Sequence, residues 1–109
     1  VLFILQYNMN WKDAEKLACD YLNKKQYTIL YYNHKIYNTQ IDIIAKYDNI
    51  IIGVEVKLRK NKTMFPLTYK QYYRIINALS YEYHHHLIRL DLIIINHYYN
   101  IEHIENIVI

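Results

Sequence analysis

Asp42, Glu55 and Lys57 stand in two strand-like segments, Gln40-Ile41-Asp42-Ile43-Ile44-Ala45 and Gly53-Val54-Glu55-Val56-Lys57-Leu58. A hairpin that turns at Asp48-Asn49 pairs Asp42 with Glu55, Gln40 with Lys57 and Ile44 with Gly53. Side chains alternate along a strand, so these six share one face and Ile41, Ile43, Val54 and Val56 share the other. Directly opposed residues have Cβ atoms roughly 4.5 to 5.5 Å apart, and like charges there destabilise a sheet. A shared proton, the Lys57 ammonium or a hard cation such as Mg²⁺ or Mn²⁺ could offset two facing carboxylates. Gly53, the only glycine, is expected to leave room beside Glu55 for a ligand or a water. The competing reading is a solvated face with Lys57 as a salt-bridge partner, and the apolar flanks of both strands argue against it.

The elements that position these residues follow from periodicity. From about residue 10 to 26, Trp11, Ala14, Leu17, Ala18, Tyr21 and Leu22 recur at helical spacing. Glu15 lies at the edge of that stripe, where by its residues alone it reads as a side chain reaching to water. Residues 27–37 read as a strand closed by an Asn38-Thr39 turn, with further strands over 40–46 and 50–59. Thr68 and Gln71 form a capping box that opens a second helix with a stripe of Tyr72, Ile75, Ile76, Leu79 and Tyr83. Residues 90–96 form an apolar run suited to a strand covered on both faces, and 101–109 form an edge strand or a tail. The order is αββ βαβ with a final strand, in an α/β fold.

Composition bounds the function without deciding it. A chain of 109 residues makes one domain, and no stretch approaches the roughly 20 apolar residues that cross a bilayer. No membrane partner is expected. Val1-Leu2-Phe3-Ile4-Leu5 reads as a strand segment and not as a signal peptide. The single Cys19 cannot form an internal disulfide and fits a packed thiol in a reducing compartment, so a cytoplasmic protein is expected. The net charge of +3 suits a polyanionic partner. Arg59, Lys60 and Lys62 after the third strand, with Lys70 and Arg74 on the second helix, could hold a nucleic-acid backbone without reading sequence. Helical spacing assigns Tyr69, Tyr72 and Tyr73 to core packing in preference to stacking on bases. His84-His85-His86 point in different directions on a helix end and do not suggest zinc.

Taken together, these segments resemble the bacterial YraN-like family, which is similar to Holliday-junction resolvases and other restriction-endonuclease-like PD-(D/E)XK nucleases. The resemblance runs from Ala14-Glu15-Lys16-Leu17-Ala18 and Tyr21-Leu22, through Tyr27-Thr28-Ile29-Leu30 and Ile41-Asp42-Ile43-Ile44-Ala45, to Val54-Glu55-Val56-Lys57-Leu58-Arg59, Thr68 with Lys70, and Leu90-Asp91-Leu92. It implies a restriction-endonuclease-like αβββαβ core with a mixed sheet flanked by helices. It also implies Mg²⁺ or Mn²⁺ held by Asp42, Glu55 and the Val56 carbonyl, Lys57 near the attacking water, and Glu15 as an auxiliary acidic ligand. The implied function is metal-dependent hydrolysis of phosphodiester bonds in DNA, branched DNA included, by a homodimer. A nucleic-acid-binding domain that keeps the fold without cleaving is the alternative. The family has a Gly-Glu where this chain has Thr39-Gln40, so no upstream acid is available at Gln40.

Overall fold

The computed structural model describes residues 10–59 and 67–109. The amino-terminal strand expected over 1–5 and the loop lysines Lys60 and Lys62 lie outside the described residues. The first helix, α1 (Trp11–Lys24), starts at Asn10, whose side chain accepts the Asp13 N–H while Asp13 reaches back to the Asn10 N–H. These bonds satisfy amides that a helix start leaves without partners. Strands β1 (Thr28–Ile36), β2 (Thr39–Tyr47) and β3 (Ile50–Leu58) follow as antiparallel neighbours. Thr68 caps α2 (Tyr69–Glu82) with the expected Gln71 capping box, and α2 carries the chain across to β4 (Leu87–Ile95), which lies parallel to β3. A short β5 (Ile101–Ile104) closes the sheet in the order β1-β2-β3-β4-β5. The fold is α/β, with a five-stranded mixed sheet and the αβββαβ core.

Each helix covers one face of the sheet. Ala14, Ala18 and Leu22 of α1 pack on Ile43, Ile52, Val54, Val56 and Ile93, while Ile75, Ala78 and Leu79 of α2 pack on Ile41, Ile44, Leu90 and Leu92. A fully buried aliphatic side chain contributes about 1.5 to 3 kcal/mol, so these two layers fix the sheet between the helices. The α2 stripe matches the spacing-based expectation. Tyr69 and Tyr73 do not: they are 62% and 42% exposed, because the helix meets the sheet along one stripe and both rings fall outside it. Tyr72 alone of the three packs against the core. Gly53 also departs from expectation. A Cβ there would lie 2.7 Å from Leu79 Cδ1, so the missing side chain lets α2 approach the sheet and opens no space for a ligand.

Among the described residues no helix is long and apolar enough to cross a membrane.

Candidate functional site

The β2–β3 register agrees with the sequence reading from Tyr47↔Ile50 to Ile43↔Val54, and the paired ladder ends there. At the next step side chains replace main-chain acceptors. The Asp42 N–H donates to Glu55 Oε2 at 3.0 Å, and the Val56 N–H donates to Asp42 Oδ2 at 2.9 Å. The two acids are thereby locked to each other's strand. Strict alternation fails at the same point, since Ile41 joins Ile44 on the α2 face instead of Ile43 on the α1 face. The polar residues therefore do not share one sheet face; they sit at the mouth where β2 and β3 cease to pair.

A cavity of about 290 Å³ opens at this mouth, lined by Trp11, Glu15, Asn33, Asp42, Glu55 and Lys57. Helix α1 brings Glu15 and Trp11, β2 brings Asp42, and β3 brings Glu55 and Lys57. Their proximity has an electrostatic consequence. Burial, then the Asp42 charge, pushes the Glu55 carboxyl up to about 7, although the Asp42 N–H and Lys57 pull the other way. Burial also raises Asp42, against the Val56 N–H and Lys57. Glu15 is raised by burial and by Asp42, and an Asn33 side-chain hydrogen bond partly offsets both. All three acids thus resist ionisation, which is the condition under which a cation in the cavity would be favourable. Oxygen-rich donors of this kind suit Mg²⁺ or Mn²⁺. Val56 is fixed by its N–H to Asp42 and by pairing with Ile93.

Asn33 and Trp11 are the residues that sequence reasoning missed at this site. Neighbouring pairs Tyr32↔Ile43 and His34↔Ile41 put Asn33 across from Asp42, and its φ of 46° is left-handed in the middle of a strand. Asparagine adopts that conformation more readily than most residues and is disfavoured in strands, so its presence in a Tyr-rich and Ile-rich segment was the available signal. Trp11, assigned by periodicity to the buried stripe, is 51% exposed and borders the cavity.

The basic residues divide. Lys70 and Arg74 lie exposed on α2, whereas Arg59 continues the β3–β4 pairing through its N–H to Ile95 O at 3.0 Å. Cys19 is buried and its thiol is pushed up to about 11 by that burial, as a packed thiol should be. His84, His85 and His86 are exposed beyond the end of α2.

A set of potential metal ligands among the described residues lies elsewhere: atoms of Asp91, His103 and Glu105 are all within 4.8 Å of one another. That set is already occupied by protein. Arg89 Nε and Nη2 donate to Asp91 Oδ1 and Oδ2 at 2.8 and 3.0 Å, His103 Nε2 lies 2.8 Å from Oδ2, and the Asn106 N–H donates to Oδ1 at 2.9 Å. A cation would have to displace or face the Arg89 guanidinium, so this cluster reads as structural.

Residues 14–95 match the sequence profile of the uncharacterised protein family UPF0102. The chain belongs to that family. A UPF0102 protein of Thermodesulfovibrio yellowstonii is 40% identical over 106 residues, covering 87% of this chain and 91% of its own length. One from Fervidobacterium nodosum is 38% identical over 108 residues, covering 89% and 80%. A UPF0102 protein of Thermotoga maritima is 46% identical over 54 residues, and in that match the chain spans 50% of the relative's length. Membership in UPF0102 agrees with the YraN-like resemblance and brings no activity with it. The matched span includes Glu15, Asp42, Glu55 and Lys57 but stops before His103 and Glu105.

Proposed function

We propose that this UPF0102 chain is a metal-dependent nuclease that hydrolyses phosphodiester bonds in DNA, with branched DNA among its substrates. The observation that carries the reading is the reciprocal lock of Asp42 and Glu55 across the end of the β2–β3 ladder, in a cavity shared with Lys57 and Glu15. A purely structural sheet gains nothing from holding ionisable acids above their ordinary range beside one lysine. Asp42 and Glu55, with the Val56 carbonyl and Glu15, would hold Mg²⁺ or Mn²⁺. Bound there, such an ion would polarise a phosphate oxygen and lower the pKa of a water. Lys57 would orient the attacking water and steady negative charge as it develops on the phosphate. Lys70 and Arg74 would hold the backbone of the nucleic acid.

Titration calorimetry with Mg²⁺ and Mn²⁺ on the wild type and on Asp42→Asn, paired with cleavage assays on branched and linear DNA, tests this reading. Saturable binding and cleavage that both disappear in the variant are expected. Metal binding without cleavage of any DNA would favour a non-catalytic nucleic-acid-binding domain, and indifference of both proteins to metal would end the proposal.

A further inference from the structure

Three cavities between the carboxylate mouth and the outer face of α2 share lining residues. Glu55 borders both the mouth and a second cavity of about 150 Å³, which also meets Gln40, Gln71 and Arg74. Arg74 in turn borders a third, of about 740 Å³, along the outer face of α2 with Tyr69, Lys70 and Tyr73.

The outer face of α2 has the chemistry to hold unpaired nucleotides. Tyr69 and Tyr73 are four residues apart on α2 and so lie side by side, with ring centroids 4.7 Å apart. Both are exposed, so ring surface remains open to a base. Lys70 and Arg74 repeat the same spacing beside them, and the helix has no acid before its last residue, Glu82. A helix face with aromatic rings and cations and no carboxylate of its own is complementary to a polyanion that carries flat apolar groups. Bases inside a duplex already stack on each other, whereas unpaired bases are free to stack on tyrosine.

We infer that α2 binds unpaired nucleotides flanking the cleaved phosphate, their bases on Tyr69 and Tyr73 and their phosphates at Lys70 and Arg74. This rests on the nuclease reading and narrows its substrate class to DNA with a single-stranded flank. Fluorescence anisotropy in EDTA, which separates binding from cleavage, tests it with a blunt duplex and the same duplex bearing a 5′ or a 3′ unpaired tail. The wild type should bind one tailed duplex about ten-fold more tightly than the blunt one. The double variant Tyr69→Ala/Tyr73→Ala should bind tailed and blunt DNA alike, with an unchanged melting temperature because both rings are exposed. Lys70→Ala should weaken tailed binding and reduce the salt dependence by about one counterion.

Equal binding of tailed and blunt DNA by the wild type would overturn the inference. So would a tail preference that survives loss of both tyrosines, which would leave this face to a protein partner. The two proposals fail separately. Tail preference without metal-dependent cleavage would sink the nuclease reading alone, and Asp42-dependent cleavage without tail preference would sink this one alone.

Discussion

Asp91 and Glu55 are buried acids on adjacent strands of one sheet, and their surroundings are opposite in kind. Asp91 pairs with Val54, the residue before Glu55. Burial alone would raise its pKa, but His103, Arg89 and the Asn106 N–H outweigh that and hold it below the ordinary carboxylate value. Tyr27 and Glu105 extend the network, since Arg89 Nη2 donates to Tyr27 Oη at 2.8 Å and Tyr27 Oη donates to Glu105 at 3.0 Å. The Glu55 carboxylate accepts the Asp42 N–H, has Asp42 and Glu15 as acidic neighbours, and is pushed up to about 7. An acid that the fold compensates fully is part of the scaffold. One left under-compensated in a cavity is where a cation from outside would be expected to act.

That contrast can be broken most sharply at Asp91. Asp91→Ala leaves the Arg89 guanidinium, 17% exposed, with only the longer 3.4 Å contact to the exposed Glu105 carboxylate, and should cost about 3 kcal/mol in denaturant unfolding. Metal affinity of the protein that remains folded should be unchanged. Loss of metal binding with stability intact would instead make Asp91, His103 and Glu105 the metal site.

Asp42→Asn is the reciprocal change. It should lower metal affinity and cleavage at least about 100-fold, since even partners outside the ligand shell cost 10- to 100-fold, and leave the fold standing. A variant that unfolds while its metal binding is unaltered would reverse the roles assigned to the two regions.

Protonation sharpens the comparison because the two acids have opposite signs. Glu55 has a folded pKa above its ordinary 4.5, so its contribution is fully present below about 4.5 and is lost as pH rises through about 7. In the metal-free protein, Glu55→Gln should therefore gain stability over wild type of about 2 to 3 kcal/mol at pH 8, and no comparable gain at pH 4. Asp91, with its pKa lowered from 3.8, contributes stability above that value and loses it as pH falls through its folded pKa. Thermal melts of wild type, Glu55→Gln and Asp91→Asn across pH 3 to 8 would separate the two. A Glu55→Gln protein no more stable than wild type at pH 8 would remove the electrostatic argument for the site.

The smallest expected effect is at Asn33. Asn33→Gly relieves a left-handed residue of its side chain, and stability should change by no more than about 1 kcal/mol. Losing the Asn33 bond should free Glu15 and weaken metal binding without abolishing it. A large loss of stability would mean that Asn33 holds β1 to β2 and not Glu15 to the site.

Much of this arrangement was legible in the chain because it is local. The Asp48-Asn49 turn, with Asp48 at φ 53°, sets the β2–β3 register as far as Ile43↔Val54, and this leaves Asp42 and Glu55 at the next step, where the Asp42 N–H meets the Glu55 carboxylate. The Thr68 and Gln71 cap starts α2 where residue types say it should. Helical spacing also identified Ile75, Ile76 and Leu79 as the face that packs. The face of Ile41 was misjudged because alternation assumes a continuous ladder, and here side chains interrupt it. Tyr69 and Tyr73 were misjudged because tyrosine suits both core and surface, and spacing within a helix does not say how wide its contact with a sheet will be.

By itself, then, the sequence determined the order of elements, the hairpin register and the Asp42, Glu55 and Lys57 set, since turns, caps and periodicity act over a few residues. Only the tertiary structure decided which acid is compensated. Arg89 meets Tyr27 from 62 residues away and Tyr21 meets His103 from 82, while α1 carries Glu15 and Trp11 to strands it does not adjoin in the chain. Whether a buried charge is satisfied depends on every element packed around it, and nothing local specifies that sum.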